Sequence, residues 1–127
     1  MILYTVYMPE RPYQKLVVWQ EADRLCLWTY EVTRCFPMNE RYSLVQQMRR
    51  AGYSVPMCIV EGNVRRTAKD KQHFFTQALG SLEELHYQYS LAKRLKYIDE
   101  KIFSKIDEQI RRVSYLLNKL RSSFNVS

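Results

Sequence analysis

Apolar residues recur at steps of three and four positions along four separate segments of this 127-residue chain. This spacing places them on one face of an α-helix, so each segment is predicted to be an amphipathic helix. The predicted helices span residues 12–35, 43–63, 67–95 and 99–121. Because the connections between them are short, successive helices should run antiparallel. The pattern therefore predicts an all-α fold, an antiparallel up-down-up-down four-helix bundle over residues 13–121.

The two ends of the chain lie outside this pattern. Residues 1–12 contain two prolines and are predicted to form an extended N-terminal arm. Met8 is an alternative to Met1 as the true start. Residues 122–127 are predicted to be a frayed tail.

Local signals indicate where the helices begin and how they are shaped. Ser43 followed by Gln46 has the spacing of a capping box, and Thr67 and Asp99 are predicted N-caps of the third and fourth helices. Pro56 falls inside the second helix and predicts a kink without a break, because it removes one backbone donor.

The apolar stripes predict which residues form the core. Gly80 lies in the middle of the third helix, where glycine is unfavourable, and so predicts a close approach between two helices. The core is expected to include Trp19, Leu44, Ile59, Leu82, Leu85, Ile106 and Val113.

Composition excludes several classes of protein. Hydrophobic residues make up 46% and charged residues 26% of the chain, which disfavours a disordered protein. No apolar run reaches the length of a membrane-spanning helix, and the N-terminus lacks the features of a signal peptide, so we expect a cytoplasmic protein without a membrane partner. The three cysteines have no CxxC spacing, which argues against disulfides and against a zinc site.

Catalytic motifs are missing from the sequence. Its two histidines, His73 and His86, have no third ligand at metal-binding spacing, and Glu83 with His86 forms only one of the two Glu-x-x-His pairs that a bundle metal site needs. Phosphate-binding glycine motifs and nucleophile motifs are also missing. We therefore predict no catalytic residues, no metal, no cofactor and no enzymatic activity.

The second predicted helix and the residues after it carry the most specific pattern in the chain. Four blocks, in order, resemble the family of four-helix-bundle proteins named after the 23S rRNA intervening sequence, also called S23-like proteins. The resemblance covers about residues 13–120. The matching residues are Leu16-Val17-Val18-Trp19-Gln20, Phe36-Pro37, Gln47-x-Arg49-Arg50-Ala51-x-x-Ser54-x-Pro56-x-x-Ile59-x-Glu61-Gly62-x-x-Arg65-Arg66-Thr67 and Ala78-Leu79-Gly80-Ser81-Leu82-x-Glu84-Leu85.

This resemblance implies a fold and an assembly more firmly than a function. It implies a four-helix bundle that forms a ring-like homo-oligomer, a pentamer, and a family without an established enzymatic activity. Family members are encoded within rRNA intervening sequences, and the bundle is similar to accessory proteins of diversity-generating reverse transcriptases. Ten tyrosines are compatible with subunit contacts or with base stacking.

Charge points to a polyanionic partner. The net charge is +7, and residues 64–127 carry thirteen Lys and Arg against seven Asp and Glu. Glu61 is predicted to be a structural charge partner of the neighbouring arginines. We expect a non-catalytic oligomeric protein that binds RNA or DNA through a basic patch; the alternative is a protein–protein interaction scaffold with no nucleic-acid role. The candidate nucleic-acid-binding residues are Arg49, Arg50, Arg65, Arg66, Lys69 and Lys71.

Overall fold

The computed structural model describes residues 9–124 and contains four α-helices. They are α1 (Val17–Thr33), α2 (Leu44–Asn63), α3 (Ala68–Arg94) and α4 (Glu100–Ser122). Two short 3-10 helices, Pro12–Lys15 and Met38–Glu40, precede α1 and α2. The described residues form no β-strand. The predicted all-α class is confirmed.

Each helix packs against two others in a closed circuit. The neighbouring pairs are α1 with α2, α2 with α3, α3 with α4 and α1 with α4. Successive helices are joined by short connections and run antiparallel, so the predicted up-down-up-down four-helix bundle is confirmed. No helix of the described chain is both long enough and apolar enough to cross a membrane.

The apolar stripes meet along the axis of the bundle. Of the seven core residues predicted from the sequence, five are buried: Ile59, Leu82, Leu85, Ile106 and Val113. Trp19 and Leu44 are only partly buried at the margin of the core, so this part of the prediction is wrong. Trp19 lies at the outer edge of α1, where its ring stacks on Tyr13 of the first 3-10 helix with 4.9 Å between ring centroids.

Helix ends agree with the sequence at two of three caps. The Thr67 side chain accepts a hydrogen bond from the Asp70 amide, and the Asp99 carboxylate accepts one from the Ile102 amide. Ser43 caps no amide of α2, and the predicted capping box with Gln46 is absent from the described structure. The Ser43 hydroxyl instead donates to Glu40 Oε1 at 2.5 Å, and Glu40 is the last residue of the 3-10 helix that precedes α2.

The first helix also starts later than predicted. The spacing predicts a helix from residue 12, but Pro12–Lys15 forms a 3-10 helix, and Leu16 is extended before α1 begins at Val17. Helix α2 continues through Pro56 without a break, as predicted. In the predicted tail, Phe124 lies against Phe75 with 6.0 Å between ring centroids. Residues 1–8 of the predicted arm and residues 125–127 of the tail lie outside the described residues.

Close packing occurs at other glycines than the one predicted. A Cβ atom at Gly80 would meet nothing within 4 Å, and Gly80 is exposed, so the prediction of a close helix approach there is wrong. A Cβ at Gly62 would lie only 2.6 Å from Phe75 Cε1, and one at Gly52 would lie 3.5 Å from Thr29. The close approaches are therefore between α2 and α3 at Gly62 and between α2 and α1 at Gly52.

Candidate functional site

The six basic residues predicted to bind nucleic acid lie in two separate groups. Arg49 and Arg50 lie in the N-terminal half of α2. The other four surround the turn between α2 and α3, about 20 Å away along the helix axis at 1.5 Å per residue. They are Arg65, Arg66, Lys69 and Lys71. The expectation that all six charges converge is wrong, because a helix of four turns separates the two groups.

At the α2–α3 turn, two of the four basic side chains serve the fold. Lys71 Nζ donates to the carbonyl oxygens of Asn63 at 2.9 Å and Gly62 at 3.5 Å, so it satisfies carbonyls at the C-terminal end of α2. Arg65 pairs with Glu61 at 2.8 Å and lies 4.6 Å from the centre of the Phe74 ring. Arg66 and Lys69 are exposed.

Glu61 has a smaller role than the sequence predicts. Its carboxylate pairs with Arg65 alone among the described arginines, and both side chains are about half exposed. Such a surface pair contributes at most about 1 kcal/mol. The predicted cluster around Glu61 is therefore a single surface ion pair, since Arg49 and Arg50 lie at the other end of α2.

A broad concave surface lies at the other end of α2. The C-terminal part of α1, the connection to α2 and the first half of α2 enclose an open groove of about 830 Å³. We call it the tyrosine–arginine groove, after the seven residues of those two types that line it. They are Tyr30, Arg34, Arg41, Tyr42, Arg49, Arg50 and Tyr53.

The charge of the groove has one sign. Four guanidinium groups line it, and among the residues that the structure describes its lining includes no carboxylate, histidine or cysteine. Arg34, Arg41 and Arg50 are exposed, and their side chains make no hydrogen bond or ion pair within residues 9–124. These three guanidinium groups are therefore available to an anionic ligand.

Arg49 is held by the protein itself. Its Nε donates to Thr33 Oγ1 at 3.0 Å, and its Nη2 donates to the Tyr30 carbonyl oxygen at 3.4 Å. The guanidinium also lies 4.9 Å from the centre of the Tyr30 ring. Because these contacts are with the last turn of α1, the Arg49 charge complements the negative end of that helix. Arg49 thus positions Tyr30 and one wall of the groove.

The connection between α1 and α2 lines another part of the groove and is itself held by contacts with the rest of the bundle. Glu40 accepts hydrogen bonds from the Ser43 hydroxyl and, at 2.7 Å, from the Tyr97 hydroxyl, and these bonds lower the pKa of the Glu40 carboxyl below its ordinary value. Phe36 packs on Tyr97 with 5.2 Å between ring centroids. The connection that carries Arg41 and Tyr42 is therefore tied to the loop between α3 and α4.

The tyrosines of the groove present ring surface to solvent. Tyr42 is 81% exposed, Tyr53 is 41% exposed and Tyr30 is 36% exposed. The guanidinium of Arg41 lies 6.0 Å from the centre of the Tyr42 ring. In the sequence, these three tyrosines are noticed only because tyrosine is abundant, and the count does not identify them as part of a site. The missed signal is their position: Arg34 and Arg41 flank the α1–α2 connection, and Tyr30, Tyr42 and Tyr53 lie close to it in sequence.

Outside the groove, His86 and Cys26 are two ionisable side chains that the fold constrains. His86 Nε2 lies 3.0 Å from Asp107 Oδ1 and joins α3 to α4. Burial raises the pKa of the Cys26 thiol to about 11, which keeps it protonated and unreactive at neutral pH. Within residues 9–124, no three His, Cys, Asp and Glu side chains are grouped as metal ligands would be.

Comparison with known proteins identifies the family. Residues 14–119 match the family model described as 23S rRNA-intervening sequence protein. The fold is similar to the crystal structure of a protein with unknown function from the S23 ribosomal protein family of Bacteroides thetaiotaomicron. The two structures align with a TM-score of 0.77 and 19% sequence identity, and the alignment covers 84% of this chain and 96% of that chain. No curated protein matches the sequence. Since the family model spans most of the chain, this protein belongs to the 23S rRNA-intervening sequence protein family.

Proposed function

We propose that this protein is a non-catalytic nucleic-acid-binding module and that the tyrosine–arginine groove is its interface. The observation that carries the proposal is the composition of the groove, in which four arginines and three tyrosines occur without a carboxylate among the described lining residues. Arginine binds phosphate by bidentate hydrogen bonds, and tyrosine rings stack on bases. The net charge of +7 adds a sequence-independent attraction to a polyanion.

The basic residues of the groove have different roles in this proposal. Arg34, Arg41 and Arg50 contact phosphates, because their side chains are exposed and have no ion-pair partner among residues 9–124. Arg49 is a positioning residue, since its hydrogen bonds go to Thr33 and Tyr30. The family name associates these proteins with 23S rRNA intervening sequences, which makes RNA a natural first ligand to test.

The α2–α3 turn is a secondary contact in the same proposal. Arg66 and Lys69 are exposed there, and Arg65 and Lys71 add charge although they also hold the turn together. A nucleic-acid strand following α2 over about 20 Å would reach both basic groups. Of these two basic groups, the groove is proposed as the primary site because it combines four arginines with exposed tyrosines.

We also propose that the protein is a homo-oligomer, the pentamer that its family resemblance implies. Large apolar side chains are exposed on the outer faces of two adjacent helices: Val17 and Leu27 on α1, and Met57 on α2. Leu27 is 60% exposed, which leaves apolar surface for a subunit contact. An oligomer would repeat the groove, and several weak contacts would then act together with higher avidity.

A protein–protein scaffold is the second candidate function. The same exposed apolar and tyrosine side chains support it, because tyrosine is enriched at protein interfaces. In that case the arginines would contact an acidic protein. The two candidates differ in whether the groove arginines change the affinity for RNA.

The test is RNA binding measured by fluorescence anisotropy at several salt concentrations. The groove variant is Arg41→Ala with Arg50→Ala, and the turn variant is Arg65→Ala with Arg66→Ala. A matched control, Lys101→Ala with Arg111→Ala, removes two exposed charges from α4. For a single-stranded RNA, the groove variant should bind more weakly and lose about 1.4 units of the salt slope, about 0.7 for each phosphate contact.

Two results decide against the proposal. If the groove variant binds RNA as the control does, then the groove is not the interface. If the wild-type protein shows no salt-dependent binding to RNA or duplex DNA, then the scaffold is the better candidate. The turn variant distinguishes two further roles, because loss of the Glu61–Arg65 pair would lower the melting temperature or the oligomer mass without changing RNA affinity.

A further inference from the structure

We infer that the tyrosine–arginine groove selects single-stranded over double-stranded nucleic acid by stacking unpaired bases on Tyr42 and Tyr53. This inference rests on the proposed function and adds the class of ligand to it. Tyr42 and Tyr53 are the two most exposed tyrosines that line the groove, at 81% and 41%. Both therefore present ring surface where three free guanidinium groups of the described chain can hold a backbone.

Exposed tyrosine rings matter only if the bases are free to reach them. In a duplex the faces of the bases are stacked inside the helix, so a protein surface meets phosphates, sugars and base edges. In a single strand the faces are available, and stacking on an aromatic ring is strong and tolerant of sequence. Tyr42 follows Arg41 directly in sequence, and the Arg41 guanidinium lies 6.0 Å from the centre of the Tyr42 ring, so a phosphate contact and a base contact would lie side by side.

Internal contacts hold Tyr30 and the segment that carries Tyr42 before a ligand binds. Arg49 fixes Tyr30 through the carbonyl hydrogen bond and through its position over the ring, and Glu40 ties the start of α2 to Tyr97. A surface that is already ordered loses less conformational entropy on binding. The frame of the groove is therefore ordered in advance, and Tyr42 and Tyr53 extend their exposed rings from that frame.

Charge argues against a second copy of this chain as the symmetric occupant of the groove. A two-fold contact would place the groove of one subunit against the groove of another, and it would bring together two sets of four arginines. With no carboxylate among the described lining residues to separate them, like charges would face each other across the contact at a large cost. A polyanionic strand has the complementary charge.

The test compares three DNA probes of about twelve nucleotides, a length within the site sizes of known single-strand binders. One is single-stranded with all bases, the second is the same strand with abasic sites in place of the central bases, and the third is the duplex. The wild-type protein should bind the complete single strand at least about fivefold more tightly than the abasic strand, the lower end of the effect of one stacked base. Binding to the duplex should be weaker than to the complete single strand.

Variants connect the difference to the groove. Tyr42→Ala should reduce affinity for the complete strand at least about fivefold and leave affinity for the abasic strand unchanged. Tyr42→Phe keeps the ring and should restore the affinity. Tyr87→Ala is the matched control, because Tyr87 is 59% exposed on α3 and lies 5.7 Å from the Arg94 guanidinium, as Tyr42 lies 6.0 Å from that of Arg41.

The outcomes separate the two proposals. Equal binding of all three probes, lost in the Arg41→Ala/Arg50→Ala variant, would keep the groove as a nucleic-acid interface and overturn the selection of unpaired bases. Absence of binding to every probe and to the RNA of the first test would overturn the proposed function itself. A lower oligomer mass for Tyr42→Ala, measured by light scattering, would place Tyr42 at a subunit contact and overturn the inference.

Discussion

The hydroxyl of Tyr89 on α3 donates a 2.8 Å hydrogen bond to Thr29 Oγ1 on α1, and both residues are fully buried. Burial raises the pKa of Tyr89 above its ordinary value, so the hydroxyl stays protonated and remains a donor. The chain of contacts continues toward the groove, because the Thr33 hydroxyl donates to the Thr29 carbonyl at 2.7 Å and Arg49 donates to Thr33. A buried polar contact in the centre of the bundle is thus connected to one wall of the proposed interface.

This contact predicts an asymmetry between two substitutions. Tyr89→Phe removes the donor and should lower the free energy of unfolding by about 1 kcal/mol. Thr29→Val leaves the Tyr89 hydroxyl buried without its acceptor and should cost about 1–3 kcal/mol. The double variant should cost less than the sum, since it removes both partners. Urea unfolding of all three variants measures these values, and strict additivity would show that the two groups do not interact.

Gly62 and Gly80 predict opposite effects of the same substitution. Gly62→Ala places a Cβ 2.6 Å from Phe75 Cε1 and should destabilise the protein by about 1–3 kcal/mol through overpacking. Gly80→Ala meets nothing within 4 Å in the middle of a helix and should stabilise it by up to about 1 kcal/mol. Thermal unfolding of the two variants checks both signs. A stabilising Gly62→Ala would mean that Phe75 can move away at little cost.

Lys96 has an unfavourable backbone conformation. It follows the C-terminal end of α3 with φ of 66°, and the next amide, of Tyr97, donates to the Ala92 carbonyl at 2.9 Å. This is the position at which helices commonly use glycine, because a side chain there costs about 1–2 kcal/mol. Lys96→Gly relieves this cost, but glycine also makes the unfolded chain more flexible, which offsets part of the gain. The net expectation is a free energy of unfolding higher by up to about 1 kcal/mol. Lys96→Ala is the control; it keeps a Cβ and should bring no such gain.

The Glu40–Tyr97 hydrogen bond predicts a dependence of stability on pH. The bonds from Ser43 and Tyr97 lower the pKa of Glu40 from 4.5, so the folded state favours the carboxylate. This contribution is fully present above pH 4.5 and is lost as the pH falls through the lowered folded value. Tyr97→Phe should therefore destabilise the protein at neutral pH, and the difference from the wild type should shrink in acid. Melting temperatures measured across this range test the sign, and a difference that grows in acid would contradict it.

The proposed homo-oligomer predicts that a suitable surface substitution will dissociate the subunits without unfolding them. Leu27 is 60% exposed on α1, so Leu27→Glu should leave the helical circular dichroism spectrum of the bundle unchanged. It should lower the mass measured by light scattering toward the 15.3 kDa of one chain, because a charge would be buried in an apolar subunit contact. Glu31→Gln, on the exposed surface one turn further along α1, is the control. A wild-type protein that is already monomeric at micromolar concentration would refute the assembly itself.

Much of the fold follows from the spacing of residues along the chain. The steps of three and four determine four helices and the buried face of each, because helical period and burial are local consequences of sequence. Thr67 and Asp99 cap helices for the same reason, since a cap depends on residues within one turn. The family is also evident from the motif in residues 47–67, because this motif can be recognised in the sequence without the structure.

Only the tertiary structure determines which residues of different helices are neighbours. Gly80 and Gly62 look alike in sequence, and only the position of Phe75 on α3 makes Gly62 the close approach. The six predicted basic residues look like one patch, but the helix between Arg49 and Arg65 separates them by about 24 Å. Arg34 and Arg41 join Arg49 and the tyrosines only because the chain reverses between α1 and α2. Local periodicity determines helices, whereas a binding surface depends on which side chains of different helices come together when those helices pack.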